Sequence, residues 1–219
     1  MRALVIGASG GIGAALMAAL ARRGEVVGVS RRGDGLDLTD EASVATVMGR
    51  LEGSFDTLIV ATGALEIAGA RPEKSLRALD AGAMAAQFAL NAIGPALVVK
   101  HALRLMPKDR VARLAVLSAR VGSIGDNALG GWYSYRAAKA ALNQLVHTAS
   151  IEVARSHPHA VLALLHPGTV ATGLTQAYAG GHAVVTPEVA AEHLLAVLDG
   201  LRPADSGGFF DWKGERIVW

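Results

Sequence analysis

The sequence predicts an α/β fold, because short apolar runs typical of buried strands alternate with alanine-rich helical stretches along the chain. The first run is residues 3–6, and the last lies near residues 207–210. Neither a linker nor an internal repeat interrupts this alternation, so residues 1–219 are expected to form one domain. Unbroken alternation indicates a Rossmann-type, doubly wound, mostly parallel β-sheet with helices on both faces.

The composition excludes several classes of function. Hydrophobic residues make up 52% of the chain and there are 26 glycines, which suits a tightly packed α/β protein. There is no cysteine, so disulfides, thiolate zinc sites and cysteine nucleophiles are excluded. The histidines lack ligand spacing, so no metal is expected. The net charge is +2 without a long basic tract, and a nucleic-acid partner is therefore not expected.

No targeting or membrane segment is predicted. The chain runs from Met1 directly into the first strand, without a charged and then apolar leader. No apolar run approaches the ~20 residues needed to span a bilayer. We therefore expect a cytoplasmic protein without a membrane partner.

The first strand runs into a turn with four glycines in residues 7–13, and an alanine-rich helix follows to about residue 23. Glycines let the backbone approach a pyrophosphate, and the helix N-terminus supplies N–H groups and a positive dipole. This order of strand, turn and helix predicts a dinucleotide site. The expected contacts are Gly7, Ser9, Gly10, Gly11, Ile12 and Gly13.

The second strand, residues 26–29, ends at Ser30, where an NAD site usually has an acid that holds the ribose 2′-hydroxyl. Arg31 and Arg32 follow, and guanidinium groups match a 2′-phosphate bidentately. The favoured cofactor is therefore NADP. In the alternative, Asp34 supplies the missing acid and the cofactor is NAD.

The middle of the chain carries a helix, a strand and a second, longer helix. Thr39 is the expected N-cap of a helix that ends near residue 51. A third buried strand, residues 57–61, leads to a turn that meets the glycine turn at one sheet edge. Ser75 is expected to cap a short helix, before a long helix over residues 83–106.

That long helix contains Pro95, which has no N–H group. Proline therefore leaves the carbonyl of Asn91, four residues earlier, without its helical partner. Two interpretations remain open: a kink that serves packing, or a polar site that holds a water molecule.

A fourth strand, residues 113–117, leads through a glycine-rich loop to a helix over residues 133–155. Tyr135 and Lys139 lie four apart and so share a helix face, whereas Tyr133 has an alanine at that distance. A cation about 4 Å from a phenol, at a dielectric of about 20, stabilises the phenolate by roughly 4 kcal/mol. This equals about three pKa units before the cost of burial, so Tyr135 is expected to be an acid–base group with a lowered pKa.

A fifth strand, residues 161–165, exits into a turn over residues 166–172. The segment 173–185 is short enough to be a lid over the site. Thr186 then caps a further helix with proline at its first position, and the chain closes with a short strand and an aromatic segment.

The motifs Gly7-x-x-x-Gly11-Ile12-Gly13 and Tyr135-x-x-x-Lys139, in this order, resemble those of the short-chain dehydrogenase/reductase family. The resemblance covers essentially the whole chain, is to the single-domain type, and is strongest to compact C-signal-like carbonyl reductases. It implies NADP-dependent hydride transfer to or from a small-molecule carbonyl or alcohol substrate. It also implies a homodimer or homotetramer, in which small-residue helices pair between subunits.

The resemblance implies particular roles for the site residues. Tyr135 would donate the proton, Lys139 would hold the nicotinamide ribose and lower the pKa of Tyr135, and Asn91 would anchor a water that feeds protons through Lys139. The further cofactor contacts that it implies are Asp37 and Leu38 at the adenine, Ala61, Thr62 and Gly63 in the turn after the third strand, and Pro167, Gly168, Val170 and Thr172 at the carboxamide.

Two positions depart from the family pattern. The family's Asn-Asn-Ala-Gly turn is Val60-Ala61-Thr62-Gly63 here, and only the glycine is kept. Counted back from Gly122, the family's catalytic serine falls on Ala119. Ser118 is favoured for its role, but alternation along a strand requires that the strand has ended or bulged there. Ser123 is the other candidate.

Two other functions compete with a reductase. A nucleotide-binding sensor or signalling protein with little or no turnover is supported by the departure at the serine. An extended-type epimerase or dehydratase also fits Gly7-x-x-Gly10-x-x-Gly13, but such chains need a sugar-nucleotide domain for which these 219 residues have no room. The fold cannot decide between these functions, and the identity of the substrate cannot be read from the sequence.

Overall fold

A computed structural model describes residues 1–173, 178 and 184–219 of the chain. The strands are β1 (Arg2–Ile6), β2 (Glu25–Val29), β3 (Thr57–Val60), β4 (Ala112–Leu117), β5 (Ala160–His166) and β6 (Phe209–Asp211). The α-helices are α1 (Gly11–Ala21), α2 (Arg31–Asp34), α3 (Glu41–Gly49), α4 (Ala81–Phe88), α5 (Gly94–Ala102), α6 (Tyr133–Val153) and α7 (Pro187–Gly200).

The strands pair in one sheet with the order β2-β1-β3-β4-β5-β6, and every pair in the described part is parallel. The chain therefore starts one strand in from the edge, pairs β2 at that edge, and then crosses over β1 to β3. This doubly wound, parallel architecture confirms the predicted fold class. It also brings the loops after β1, β3, β4 and β5 to one edge, where such sheets bind ligands.

Alternate residues of each strand enter two separate cores, one on each face of the sheet. Leu58 and Val60 of β3 belong to the core that also contains residues of α3, α5 and α6. Ile59, between them, belongs to the core shared with α1 and α7. Because both faces are covered, the strands read as continuous apolar runs, which is why the sequence showed them clearly.

Helix α3 is capped by a different residue from the one expected. The carboxylate of Asp40 accepts a hydrogen bond from the N–H of Ala42 at 2.9 Å and is the N-cap of α3. The hydroxyl of Thr39 instead donates to Asp37 at 2.7 Å. The prediction of Thr39 as the cap is therefore wrong by one residue, because two good capping residues are adjacent.

The predicted long helix is broken into pieces. It begins at α4, whose N-cap is Asp80, passes through a π-helical turn (Ala89–Ile93), continues as α5 and ends in a 3₁₀ turn (Leu103–Leu105). Pro95 lies at the start of α5, directly after the π-helical turn that contains Asn91. Ser75 precedes a 3₁₀ turn (Leu76–Ala78), but its side chain makes no capping bond there.

The same stretch is apolar as well as long. Residues 81–105 form a continuous helical segment of 25 residues, and an 18-residue window within it has a mean hydropathy of 1.5, so the segment is long and apolar enough to cross a membrane by length and composition. In the structure Val98, Val99 and Ala102 of this segment are part of the sheet's core. The segment therefore has the packing of a core helix of the domain.

Candidate active site

A cleft of about 700 Å³ opens at the carboxyl ends of β3, β4 and β5, beside the first turns of α6. Its lining includes eleven of the residues predicted for the site: Ile12, Ala61, Thr62, Gly63, Ser118, Tyr135, Lys139, Pro167, Gly168, Val170 and Thr172. The others lie outside its lining: Gly7, Ser9, Gly10, Gly11, Gly13, Ser30, Arg31, Arg32, Asp37, Leu38 and Asn91. Of the predicted lid, only Gly173, Tyr178, Val184 and Val185 are among the described residues, and Tyr178 lines the cleft.

Helix α6 places Tyr135 and Lys139 in the cleft, as the spacing of four residues predicts. Their exposed fractions are 8% and 3%, whereas Tyr133 is 37% exposed and is absent from the lining. The ammonium of Lys139 lies 5.9 Å from the centroid of the Tyr135 ring. A Cβ atom at Gly122 would lie only 2.8 Å from Cβ of Lys139, so this glycine lets the loop after β4 pack directly on α6.

Burial controls the protonation of the pair. Burial raises the pKa of Tyr135 to about 12, and it lowers the pKa of Lys139 to about 8, because both charged forms lose their hydration. The expected lowering of the Tyr135 pKa is therefore wrong for the protein without bound cofactor. The ammonium, which donates to the carbonyl oxygen of Leu117 at 3.0 Å, does not offset the desolvation of the phenol.

Of the two candidate serines, Ser118 lines the cleft and Ser123 does not. Strand β4 ends at Leu117, so Ser118 has left the strand and meets the condition set by the sequence pattern. Its hydroxyl donates to Oδ1 of Asn143 at 2.6 Å. The hydroxyl of Ser123 instead accepts from the N–H of Asp126 at 3.0 Å within the following loop.

Asn91 is fully buried and fastens the loop after β3 to the π-helical turn. Its Oδ1 accepts from the N–H of Ala64 at 3.1 Å, and its Nδ2 donates to the carbonyl of Ala64 at 2.8 Å and to Oε1 of Gln87. A Cβ atom at Gly63 would lie 2.9 Å from this Oδ1 and 3.6 Å from Nζ of Lys139. The side chains of Asn91 and Lys139 therefore both approach the backbone of Gly63. The role of Asn91 in holding a water molecule stays a prediction.

The glycine turn has the close packing that a phosphate cradle needs. Gly7 has φ of +90°, and a Cβ atom at Gly13 would lie 2.0 Å from the carbonyl oxygen of Gly7, so neither position accepts a side chain. The N-cap of α1 is Gly10, which offers no side chain to the first N–H groups, and no acid lies in that first turn. These features fit an anion at the N-terminus of α1.

The glycine turn also touches the neighbouring loops of the site. A Cβ atom at Gly7 would lie 2.8 Å from the carbonyl oxygen of Ala61, and one at Gly11 would lie 2.8 Å from a methyl carbon of Thr172. The loops after β1, β3 and β5 therefore form one continuous edge beside the cleft.

A short helix that was not predicted follows the end of β2. Residues Arg31–Asp34 form the short helix α2, for which Ser30 is the N-cap: its hydroxyl accepts from the N–H of Gly33 at 3.0 Å. The carboxylate of Asp34 folds back and accepts from the N–H of Ser30 at 2.7 Å. Arg31 and Arg32 are exposed, and neither forms an ion pair within 4 Å among the described residues.

The two residues expected at the adenine are held differently. Asp37 accepts from the side chain and the N–H of Thr39, and these hydrogen bonds hold the pKa of its carboxyl below the usual range. Leu38 is buried in the core, and a Cβ atom added at Gly94 would lie 2.7 Å from the Cβ atom of Leu38. The side chain of Leu38 therefore packs inward, and only its backbone remains for a ligand.

Glu73 is buried at the N-terminus of α6 and was not predicted as a site residue. Its carboxylate accepts from the hydroxyl and, at 3.2 Å, from the N–H of Ser134, the residue before Tyr135. Burial raises the pKa of Glu73, but the bonds from Ser134 outweigh it and the net shift is downward. Because 61 residues separate the two partners, no local pattern could have revealed this cap.

A second unpredicted group lies on the opposite wall of the cleft. Arg120 bridges Asp126 and the buried Asp211 at 3.0 and 3.1 Å, and His166 lines the cleft beside it. Burial, together with the charge of Arg120 and against that of Asp211, lowers the pKa of His166 to about 4. His166 is therefore neutral at pH 7.

Several known proteins are similar to this chain in sequence. The model of the short chain dehydrogenase family matches residues 33–181. The 1-hydroxy-2-glutathionyl-2-methyl-3-butene dehydrogenase of Rhodococcus sp. (strain AD45) is 32% identical over 229 residues, which cover 99% of this chain and 98% of that one. C-signal of Myxococcus xanthus is 37% identical over 142 residues, which cover 64% of this chain and 81% of that one.

Solved structures agree. A short-chain dehydrogenase/reductase of Burkholderia multivorans, solved with bound NADP, superposes with a TM-score of 0.82 at 27% identity. The match covers 100% of this chain and 99% of that one. The family match spans most of the chain and the Rhodococcus relative spans nearly all of it. The chain therefore belongs to the short-chain dehydrogenase/reductase family of oxidoreductases.

Proposed function

We propose that the protein is an NADP-dependent reductase that moves a hydride between NADPH and a small carbonyl or alcohol substrate, with Tyr135 as the proton donor. One observation carries the proposal: Ser118, Tyr135 and Lys139 line the same cleft, which lies beside the glycine turn. Together they offer a hydroxyl, a phenol and an ammonium, the groups that a carbonyl oxygen needs as it gains charge.

The residues present fit the cofactor. The close-packed glycines and the uncapped N-terminus of α1 suit the pyrophosphate, and the exposed Arg31 and Arg32 suit the 2′-phosphate that distinguishes NADP from NAD. NADP is also the cofactor in the Burkholderia structure. When bound, it supplies or accepts the hydride at the carbonyl carbon of the substrate.

Tyr135 handles the proton. With a pKa of about 12 the phenol keeps its proton at neutral pH, so in the direction of reduction it starts as the acid. Its O–H bond breaks as a new O–H bond forms on the substrate oxygen, and the carbonyl becomes an alcohol. The ammonium of Lys139, 5.9 Å from the ring centroid, stabilises the tyrosinate that results and is the group from which the proton is restored.

Ser118 polarises the carbonyl. Its hydroxyl now points to Asn143, and a turn about its side chain directs the same proton to a substrate oxygen held at Tyr135. A neutral donor aimed at developing negative charge lowers the barrier without a proton transfer of its own.

The experiment that tests the proposal follows NADPH oxidation with a panel of small ketones, aldehydes and quinones, and NADP reduction with the corresponding alcohols. Turnover with any member supports a reductase. Binding of NADPH without turnover of any of them contradicts it.

A second candidate is a nucleotide-binding signalling protein on the same fold. One relative is named C-signal, and the serine one place from the family position is the feature of this chain that favours it. That candidate predicts tight NADPH binding that survives loss of Tyr135, and no turnover in the panel. The enzyme predicts turnover that depends on Tyr135.

A further inference from the structure

Trp132 stands directly before α6 in a backbone conformation that large residues seldom adopt. Its φ and ψ are 53° and 42°, in the left-handed region, and Ala68 is the other non-glycine residue with positive φ in the described part of the chain. Such outliers persist where the surrounding structure over-determines them, and they concentrate at ligand sites.

The contacts that hold Trp132 come from both sides. Its N–H donates to the carbonyl of Glu73 at 2.5 Å, and the buried carboxylate of Glu73 caps α6 through Ser134. On the other side, the guanidinium of Arg136 donates to the carbonyls of Gly131 and Gly130 at 2.9 and 3.2 Å. Trp132 thus lies between Glu73 and Arg136. Among the described hydrogen bonds, the carboxylate of Glu73 bonds to Ser134, and the guanidinium of Arg136 bonds to the carbonyls of Gly130, Gly131 and Val121.

Trp132 forms the centre of an aromatic wall in the cleft. Its indole makes an edge contact with Tyr135, with centroids 6.3 Å apart, and a second with Tyr178, with centroids 5.5 Å apart. All three rings line the cleft. The chain has only three Trp and three Tyr, so this wall concentrates a scarce residue class.

The position of the wall relative to Tyr135 determines what it would touch. The indole of Trp132 is in edge contact with the ring of Tyr135, so a substrate whose carbonyl oxygen is hydrogen-bonded to this phenol has its substituents in the same cleft as the indole. Leu65, Val121 and Leu129 also line the cleft, so the surroundings of those substituents are largely apolar. Rings packed on rings gain attraction beyond the area they bury, because of their quadrupoles.

We propose that Trp132 determines substrate specificity, and that the preferred substrates carry a flat aromatic group on the carbonyl carbon. This inference rests on the proposed function. Trp132 binds the aryl group, while Tyr135 and Ser118 hold the oxygen.

The test compares acetophenone with cyclohexyl methyl ketone, which have the same carbon skeleton and differ in a flat or a puckered ring. The acetophenone carbonyl is conjugated and intrinsically less reactive, so the wild-type ratio of kcat/KM for acetophenone over cyclohexyl methyl ketone is compared with the same ratio in the variants. Trp132→Leu is expected to lower this ratio by about 3- to 10-fold, the factor that one aromatic contact supplies, and Trp132→Phe to keep most of it. Tyr133→Leu, next to it on the exposed side of the helix, is the matched control and is expected to keep the wild-type ratio.

An unchanged ratio in Trp132→Leu would overturn the proposal, as would an equal fall of the ratio in the control Tyr133→Leu. Saturation-transfer NMR of the same ketones with the NADP complex measures the preference by binding alone. If no member of the wider panel of ketones, aldehydes and quinones is turned over either, the proposed function fails, and binding decides the role of Trp132. Tighter binding of acetophenone, lost in Trp132→Leu, upholds that role, and equal binding overturns it.

Discussion

At the scale of single residues, spacing predicted which groups meet, and burial decided their chemistry. The four-residue interval selected Tyr135 over Tyr133 and placed Lys139 beside it, because a helix face follows from sequence alone. The direction of the Tyr135 pKa shift did not follow. It depends on the loss of hydration that the loop after β4 and the whole cleft impose, and the sequence does not display that loss.

The cleft geometry leads to a test of the two serines. Ser118→Ala is expected to lower kcat by ~10–10³, the scale of losing one donor to a developing oxyanion. Ser123→Ala is the matched control and is expected to leave turnover near wild type, because its hydroxyl is used within its own loop. Steady-state kinetics on both variants checks this, and loss in Ser123→Ala with full activity in Ser118→Ala would transfer the role.

His166 makes stability depend on pH. Its pKa is about 4 in the fold against an ordinary 6.5, so the unfolded chain binds the proton more readily between these values. The free energy of unfolding is therefore expected to have its full value above about pH 6.5. It is expected to fall as the pH drops toward 4, by at most about 3 kcal/mol. Urea unfolding at pH 7 and pH 4.5 measures this fall, and His166→Gln should lack it. The same fall in that variant would assign the effect to other groups.

At the scale of secondary-structure elements, most strands were predictable because both of their faces are buried, so that they read as largely apolar runs. Short polar pieces were not. Helix α2 is four residues of arginine, glycine and aspartate, and it exists because Ser30 and Asp34 cap and close it. The π-helical turn before Pro95 likewise depends on the loop that Asn91 fastens, which is 27 residues away.

The residues of helix α2 are expected to determine whether the protein prefers NADPH or NADH. We expect the wild type to bind NADPH about tenfold or more tightly than NADH, because charge-assisted bonds from Arg31 or Arg32 contribute roughly 1.5–3 kcal/mol each before solvent screening. Replacing both arginines by alanine should remove most of the preference. Ser30→Asp should reverse it while still capping α2, since aspartate is an equally good N-cap.

Isothermal titration of both cofactors measures these affinities. Asp34→Ala separates the alternative in which Asp34 holds the ribose diol. If the wild type prefers NADH and Asp34→Ala is the damaging change, the assignment to NADP is wrong.

At the scale of the whole molecule, the sequence predicted the fold and the edge of the sheet that carries the site, because topology follows from the order of elements. It could not predict the contacts that tie distant segments together. Glu73 caps α6 across 61 residues, and Arg120 reaches Asp211 across 91. Such partners leave no periodic trace, so Trp132 and the wall it forms were also missed.

Assembly is a prediction at this scale. α5 and α6 carry small residues together with exposed apolar ones, among them Leu145, 42% exposed. We expect a homodimer or homotetramer with a symmetric interface on these helices. Light scattering at micromolar concentration should show it, and Leu145→Glu should weaken it, whereas Val111→Glu, exposed to a similar extent before β4, should not. A wild-type monomer would contradict the prediction.

The most direct test of the central claim is the turnover of Tyr135→Phe beside Tyr133→Phe, with NADPH affinity measured on both. Losing one general acid is expected to cut the turnover of Tyr135→Phe by at least ~10². NADPH binding should stay within a few-fold, because the glycine turn is untouched, and Tyr133→Phe should behave as wild type. Full activity in Tyr135→Phe, or its loss in Tyr133→Phe, would contradict the assignment of Tyr135 as the proton donor.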